Sequence, residues 1–225
     1  MRISLIALTF ALSSGAATAQ PLIVAELFTS QSCSSCPPAE DYFRTLSTIP
    51  GVLTLEWHVD YWDGLRTADG VWKDPFSSPD NTARQRAYNR RLRRTTGVYT
   101  PQTVVDGAAE TVGSDPARVA TLIAAARRPA DATLLVVGKS ALRASLTGAH
   151  LDTELLLVRF RTLATTHVGA GENSGRMLAS AHVVTLAQRL TPGAEFAPPS
   201  PGEGCAVLAQ DSGAGPILAA AVCPS

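Results

Sequence analysis

Apolar positions in the first half of the chain gather into short runs that alternate with amphipathic segments. Leu22 to Leu27, continued by Phe28-Thr29, is a six-residue run of strand character. The segment opening at Pro37-Pro38 reads as a helix with its prolines in the first turn, where a missing N–H costs nothing. Val52 to Val59 alternates β-formers after a Pro50-Gly51 turn and ends at Asp60, which predicts a second strand. Two strands joined through a helix run parallel, so this stretch is a βαβ unit. Residues 60–96 form a polar, aromatic insertion, Asp60-Tyr61-Trp62-Asp63 and Val71-Trp72-Lys73-Asp74-Pro75-Phe76, followed by an arginine-rich helical stretch. A strand then begins behind Pro101, turns at Asp106-Gly107, and returns as a short strand near Glu110 to Val112. Ser114 or Asp115 caps a helix from Pro116 to Ala126 that buries Val119, Leu122 and Ile123.

Past residue 130 the pattern changes. Ala132 to Val137, Leu142 to Leu146, Glu154 to Phe160, Val183 to Leu186, Ala206 to Ala209 and Ile217 to Val222 are short apolar or alternating runs, separated by Gly, Pro, Asn and Asp. That is the pattern of antiparallel β structure. It predicts a small sandwich-like module, residues 129–225, packed on a first domain of residues 20–128, with Arg127-Arg128-Pro129-Ala130 as the boundary.

Chemistry concentrates at Cys33-Ser34-Ser35-Cys36-Pro37, between the first strand and the first helix. A cysteine at a helix N-terminus meets free N–H groups and the positive end of the helix dipole, which stabilise a thiolate. Cys33 is therefore the expected nucleophile and Cys36, one turn in, the resolving thiol. A structural zinc site would need a second C-x-x-C or a Cys/His pair at ligand spacing. The remaining cysteines, Cys205 and Cys223, are remote, and His58, His150, His167 and His182 are scattered. Cys205 and Cys223 flank a hairpin with its loop at Asp211 to Gly215, so antiparallel pairing sets them opposite each other as a structural disulfide.

Composition fits redox chemistry outside the cytoplasm. Met1-Arg2, the apolar run Ile3 to Leu12 and Ala17-Thr18-Ala19 read as a signal peptide over residues 1–19, cleaved before Gln20. The chain is then expected to be periplasmic or secreted, with two disulfides. No later apolar run approaches the roughly eighteen residues of a membrane span. Acidic and basic side chains balance at 19 each, which argues against a nucleic-acid partner. The arginines from Arg84 to Arg94 read as a solvated helix face.

The order β-α-β, insertion, β-β-α, with the cysteine pair after the first strand, resembles the thioredoxin core. In that layout Thr100-Pro101 is a cis peptide facing Cys33 and Cys36. The expected fold class is an α/β thioredoxin-like core with a C-terminal antiparallel β module. The segments Glu26 to Ala39, His58 to Asp63, Trp72 to Phe76, Ala83 to Tyr88, Tyr99 to Gln102, Val104 to Gly107 and Gly171 to Gly175 resemble a family of secreted bacterial proteins known only as domain of unknown function 1223. Gly64 to Val71 is longer than the corresponding link in that family, and the terminal cysteine pair is an addition of this chain.

The function expected from these features is thiol-disulfide exchange with protein thiols or disulfides, or with a redox partner protein, and no cofactor. The alternative is a binding protein on the same scaffold, holding copper(I) between Cys33 and Cys36 or presenting the C-terminal module to a partner. His58 and Asp60, at the carboxyl end of the second strand, are candidate proton acceptors beside Cys33. Tyr61, Trp62 and Trp72 are expected to be either a wall of the substrate groove or, as the preferred reading, the insertion's own small core. Glu172 and Asn173 are expected to set turn geometry, and His150, His167 and His182 to be structural.

Overall fold

The computed structural model describes residues 22–127, 132–149 and 151–224. The expected signal segment, Arg128-Pro129-Ala130 of the expected boundary, and His150 lie outside these residues. In chain order the first part contains β1 (Ile23–Thr29), α1 (Pro37–Leu46), β2 (Val52–His58), a small hairpin of β3 (Arg66–Thr67) and β4 (Gly70–Val71), and α2 (Pro79–Leu92). It continues with β5 (Gln102–Val105), β6 (Ala109–Val112) and α3 (Pro116–Ala125). The second part contains β7 (Thr133–Gly138), β8 (Leu142–Thr147), β9 (Thr153–His167), β10 (Met177–Leu190), β11 (Glu195–Phe196), β12 (Glu203–Asp211) and β13 (Ile217–Val222).

Among the described residues the fold is mixed α/β, with three helices and one eight-stranded sheet ordered β13-β12-β9-β10-β2-β1-β5-β6. β1 and β2 are parallel, Ile23 beside Val52 through Thr29 beside His58. β10 joins β2 in parallel, with Val183 opposite Glu56. The other ladders of this sheet are antiparallel.

β1 reads as a nearly unbroken apolar run and β2 as an alternating one, yet both are covered on both faces. Ala25 and Leu27 pack with Ala39, Phe43 and Leu46 of α1 and Val119 of α3. Val24 and Phe28, with Leu53, Leu55 and Trp57, pack instead with Tyr88 of α2 and with Phe160, Val184 and Leu208 from the later strands. Since residues two apart share a face, Thr54, Glu56 and His58 fall on the α1 side of β2.

The C-terminal strands are not a separate layered unit. Four of them extend the sheet that carries β1 and β2, and only β7, β8 and β11 form a second, three-stranded sheet. Leu134, Leu142, Ala144 and Phe196 of that small sheet pack on Leu155, Leu157, Val207 and Ala209 of the large one. β9 and β10 run 15 and 14 residues, far beyond 154–160 and 183–186. Their outer halves carry Thr, Arg and Ala on partly exposed faces, so the apolar pattern fades while the ladder continues. Ala206 pairs with Val222, which sets Cys205 opposite Cys223. The two are disulfide-bonded, with Cα atoms 5.3 Å apart.

Candidate functional site

Cys33 and Cys36 are joined in a disulfide with Cα atoms 5.4 Å apart, and both residues are fully buried. Cys36, rather than Cys33, occupies the N-cap of α1. Cys33 lies in the preceding turn, which the Cys36 N–H closes onto the Cys33 carbonyl at 3.1 Å. Helix propagation explains this offset, because Pro37 and Pro38 fill the first helical positions and leave Cys36 as the flanking residue. The Ser35 hydroxyl stands 3.3 Å from Cys33 Sγ. β5 runs antiparallel to β1 with Gln102 opposite Phe28, so Pro101 falls beside Thr29, where the chain leaves β1 for the cysteine turn. The Thr100-Pro101 peptide is cis, and Trp62 Nε1 donates to Thr100 Oγ1 at 2.8 Å.

A buried acid-base cluster occupies the α1 side of the sheet. His58 Nδ1 lies 2.7 Å from Asp74 Oδ2 with neither side chain exposed. Burial alone lowers the His58 pKa, but the charge and hydrogen bond of Asp74, with Glu40 and Glu56, raise it to about 9. Burial works against the Asp74 carboxylate too, yet His58 and the N–H groups of Gln31 and Phe76 hold it below its ordinary range. The Asp74 carboxylate thus favours the imidazolium form of His58, and the Nδ1 hydrogen bond runs to Asp74 rather than to either cysteine. Its Nε2 has no hydrogen-bond partner.

Glu40, one turn beyond Cys36 on α1, accepts from Thr29 Oγ1 at 2.6 Å, and its own N–H donates to the Cys36 carbonyl at 3.2 Å. Burial pushes its carboxyl up, opposed by the charge of His58. Glu56 accepts the Ala181 N–H through one oxygen while the other has no partner. Burial and the neighbouring Glu40 push its pKa well up. Asp60 is only half-buried and turns toward α2, where its N–H donates to Thr82 Oγ1 at 3.1 Å and its carboxylate accepts from the same hydroxyl. Among the expected candidates, His58 therefore belongs to the buried cluster, and the hydrogen bonds of Asp60 run to another element. Glu40, Glu56 and Asp74 are absent from the sequence-based set. Positions 54, 56 and 58 on one strand face, and the four-residue step from Cys36 to Glu40, were the available signals.

The turn between β9 and β10 covers the cysteines. Asn173 Nδ2 donates to the carbonyls of Gln31 and Cys33, both at 2.9 Å, and Glu172 Oε2 accepts the Ser34 N–H at 2.9 Å. Both residues therefore touch the cysteine turn, beyond the geometric role expected of them. Trp72 completes the wall: its carbonyl accepts from Ser32 Oγ and its Nε1 donates to Gln31 Oε1. Gly171, at φ +81°, allows the close approach, since a Cβ there would stand 3.2 Å from Trp72 Cβ. Tyr61 and Trp62 pack against the main core instead.

The arginine helix is less solvated than its charge run suggests. Arg84 pairs with buried Glu26 at 2.7 Å and lies over the Trp57 and Tyr88 rings. Arg91 donates to the carbonyls of Ala214 and Gly107. Among the described residues no group of three or more His, Cys, Asp or Glu is arranged to hold a metal ion, and no helix is long and apolar enough to cross a membrane.

The chain is similar over 89% of its length to the crystal structure of protein AGR_C_4864 from Agrobacterium tumefaciens, of which it covers 93%, at 27% identity and a TM-score of 0.71. A weaker likeness, 14% identity and a TM-score of 0.49 over 90% of this chain and 74% of the other, is to HBP35 of Porphyromonas gingivalis. No curated protein matches the sequence. Residues 24–202 match the family model described as protein of unknown function, DUF1223, and the chain belongs to that family.

Proposed function

We propose that this protein is an exported thiol-disulfide oxidoreductase built on a thioredoxin-like core of β2, β1, β5 and β6 with α1 and α3. The observation that carries the reading is the Cys33–Cys36 disulfide, set between the end of β1 and the N-terminus of α1, one helical turn before buried Glu40. The position of Pro101 beside Thr29, where the chain leaves β1 for the cysteine turn, and the signal-like leader support the same reading.

In the oxidising direction, a thiolate of a substrate protein attacks Cys33 Sγ, the Cys33–Cys36 bond breaks, and Cys36 leaves as a thiolate that takes up one proton. A second substrate thiolate then attacks the substrate sulfur of the mixed disulfide and expels Cys33. Two electrons and two protons pass from the substrate dithiol to the pair, and reduction of a substrate disulfide is the reverse. Glu40, its carboxyl pushed up by burial, is the group that exchanges the proton with Cys36. His58 and Asp74 hold the turn, since Asp74 Oδ2 also accepts the Gln31 N–H at 2.8 Å.

Trapping tests the reading. Cys36→Ser is expected to accumulate mixed disulfides with exported proteins, and Cys33→Ser is not. Reversed trapping would exchange the two roles. Stoichiometric copper(I) binding with no trapping by either variant would overturn the enzyme.

A further inference from the structure

We propose that Glu172 and Asn173, on the turn joining β9 and β10, are positioning residues of the Cys33–Cys36 couple and hold it toward the reducing end of its range. The proposal rests on the redox reading above. Asn173 is buried, and its amide is fully used: Nδ2 donates to the carbonyls of Gln31 and Cys33, while Oδ1 accepts from Arg176 at 2.8 Å. Two carbonyls on one side and a guanidinium on the other permit one orientation of that amide. The backbone of Cys33 is thereby tied to a residue 140 positions away in sequence.

Glu172 acts on the charge. When the disulfide opens, the Cys33 thiolate depends on the hydrogen-bond donors left to its turn, and the Ser35 hydroxyl already stands 3.3 Å from its sulfur. The Ser34 N–H, next along the chain from Cys33, is a donor that Glu172 already holds at 2.9 Å. The carboxylate withholds a donor and adds a negative charge beside the place where a second one forms. Both effects disfavour the thiolate, so they disfavour reduction. The other charged or titratable groups packed about the turn are Glu40 from α1, Glu56 and His58 from β2, Asp74 from the insertion and Arg176 beside Asn173. None of them bonds to Glu172. Because Glu172 is exposed, its field passes through solvent and weakens with salt.

The test equilibrates the full chain with glutathione buffers, in which two glutathione thiols supply the electrons and protons and leave as one disulfide. Glu172→Gln retains an acceptor oxygen for the Ser34 N–H and removes the charge. It is expected to make reduction at least threefold more favourable, about 14 mV more positive at about tenfold per 30 mV. The difference should shrink at high salt, and the Cys33 thiol should titrate at lower pH. Asn173→Ala is expected to speed iodoacetamide labelling of reduced Cys33 severalfold by untying its carbonyl. A potential for Glu172→Gln within twofold of the parent at low salt would overturn the positioning role alone. A parent pair that never equilibrates with glutathione would overturn the redox reading and the proposal with it.

Discussion

His58 and Asp74 meet as a buried ion pair, 2.7 Å apart, that joins the end of β2 to the insertion and through it to the cysteine turn. A histidine raised in the folded state contributes its full stability below its ordinary value of 6.5 and loses it as pH climbs through about 9. The rise corresponds to about 3 kcal/mol. Glu40 and Glu56, raised by burial, oppose folding increasingly as pH climbs above their ordinary 4.5. Asp74, held low, adds stability above its ordinary 3.8 that is lost in acid. Unfolding by guanidinium is expected to become easier from about pH 6.5 to about pH 9.5. His58→Asn should flatten most of that slope, and an unchanged slope would rule out the pair as its source.

Glu40→Gln separates proton exchange from architecture. The amide keeps an oxygen for the Thr29 hydroxyl but has no proton to exchange with Cys36. Thiol-disulfide exchange should slow by about 100-fold, with the melting temperature nearly unchanged. Parent-like rates would remove Glu40 from the mechanism.

The two disulfides should behave differently. Cys205 and Cys223 are 18 residues apart, and closing such a loop stabilises by about 3 kcal/mol. Replacing both with Ser should lower stability by that amount while leaving exchange at Cys33 and Cys36 intact. Graded reduction followed by thiol mapping should open the Cys33 pair first. Earlier release of Cys205 and Cys223 would contradict a structural role for them.

Arg84 and Glu26 should prove strongly coupled. Arg84→Met leaves the Glu26 carboxylate buried without its cation, which is expected to cost about 3–5 kcal/mol. Adding Glu26→Gln should recover much of the loss, because the uncompensated charge disappears. Additive losses in chemical denaturation would argue against the pairing.

Local chemistry made the first half of the fold legible. β1, α1, β2, β6 and α3 each announce themselves by period or by a proline at a helix start, and Pro101 marks where β5 begins. The pairing of Cys205 with Cys223 followed from hairpin geometry. What stayed hidden depends on residues far apart in sequence. Asn173 reads as a turn former until Gln31 and Cys33 are brought beneath it. Glu56 is one polar position in an alternating strand, and nothing local announces that it is fully buried with the Ala181 N–H of β10 as its partner. His58 ends its strand where a base was expected, but its partner Asp74 lies sixteen residues on, and the charge of that carboxylate raises the His58 pKa.

The parallel pairing of β10 with β2 at Val183 and Glu56 makes the C-terminal half the cover for the free edge of the site-bearing half. A chain ended after α3 would bare the edge of β2 that faces β10 and remove Phe160, Val184 and Leu208 from the cluster around Leu53, Leu55 and Trp57. Such an edge pairs readily with a second copy. Unfolding of the intact chain should accordingly be all-or-none, with loss of the cysteine turn and of the β9–β10 ladder following a single curve.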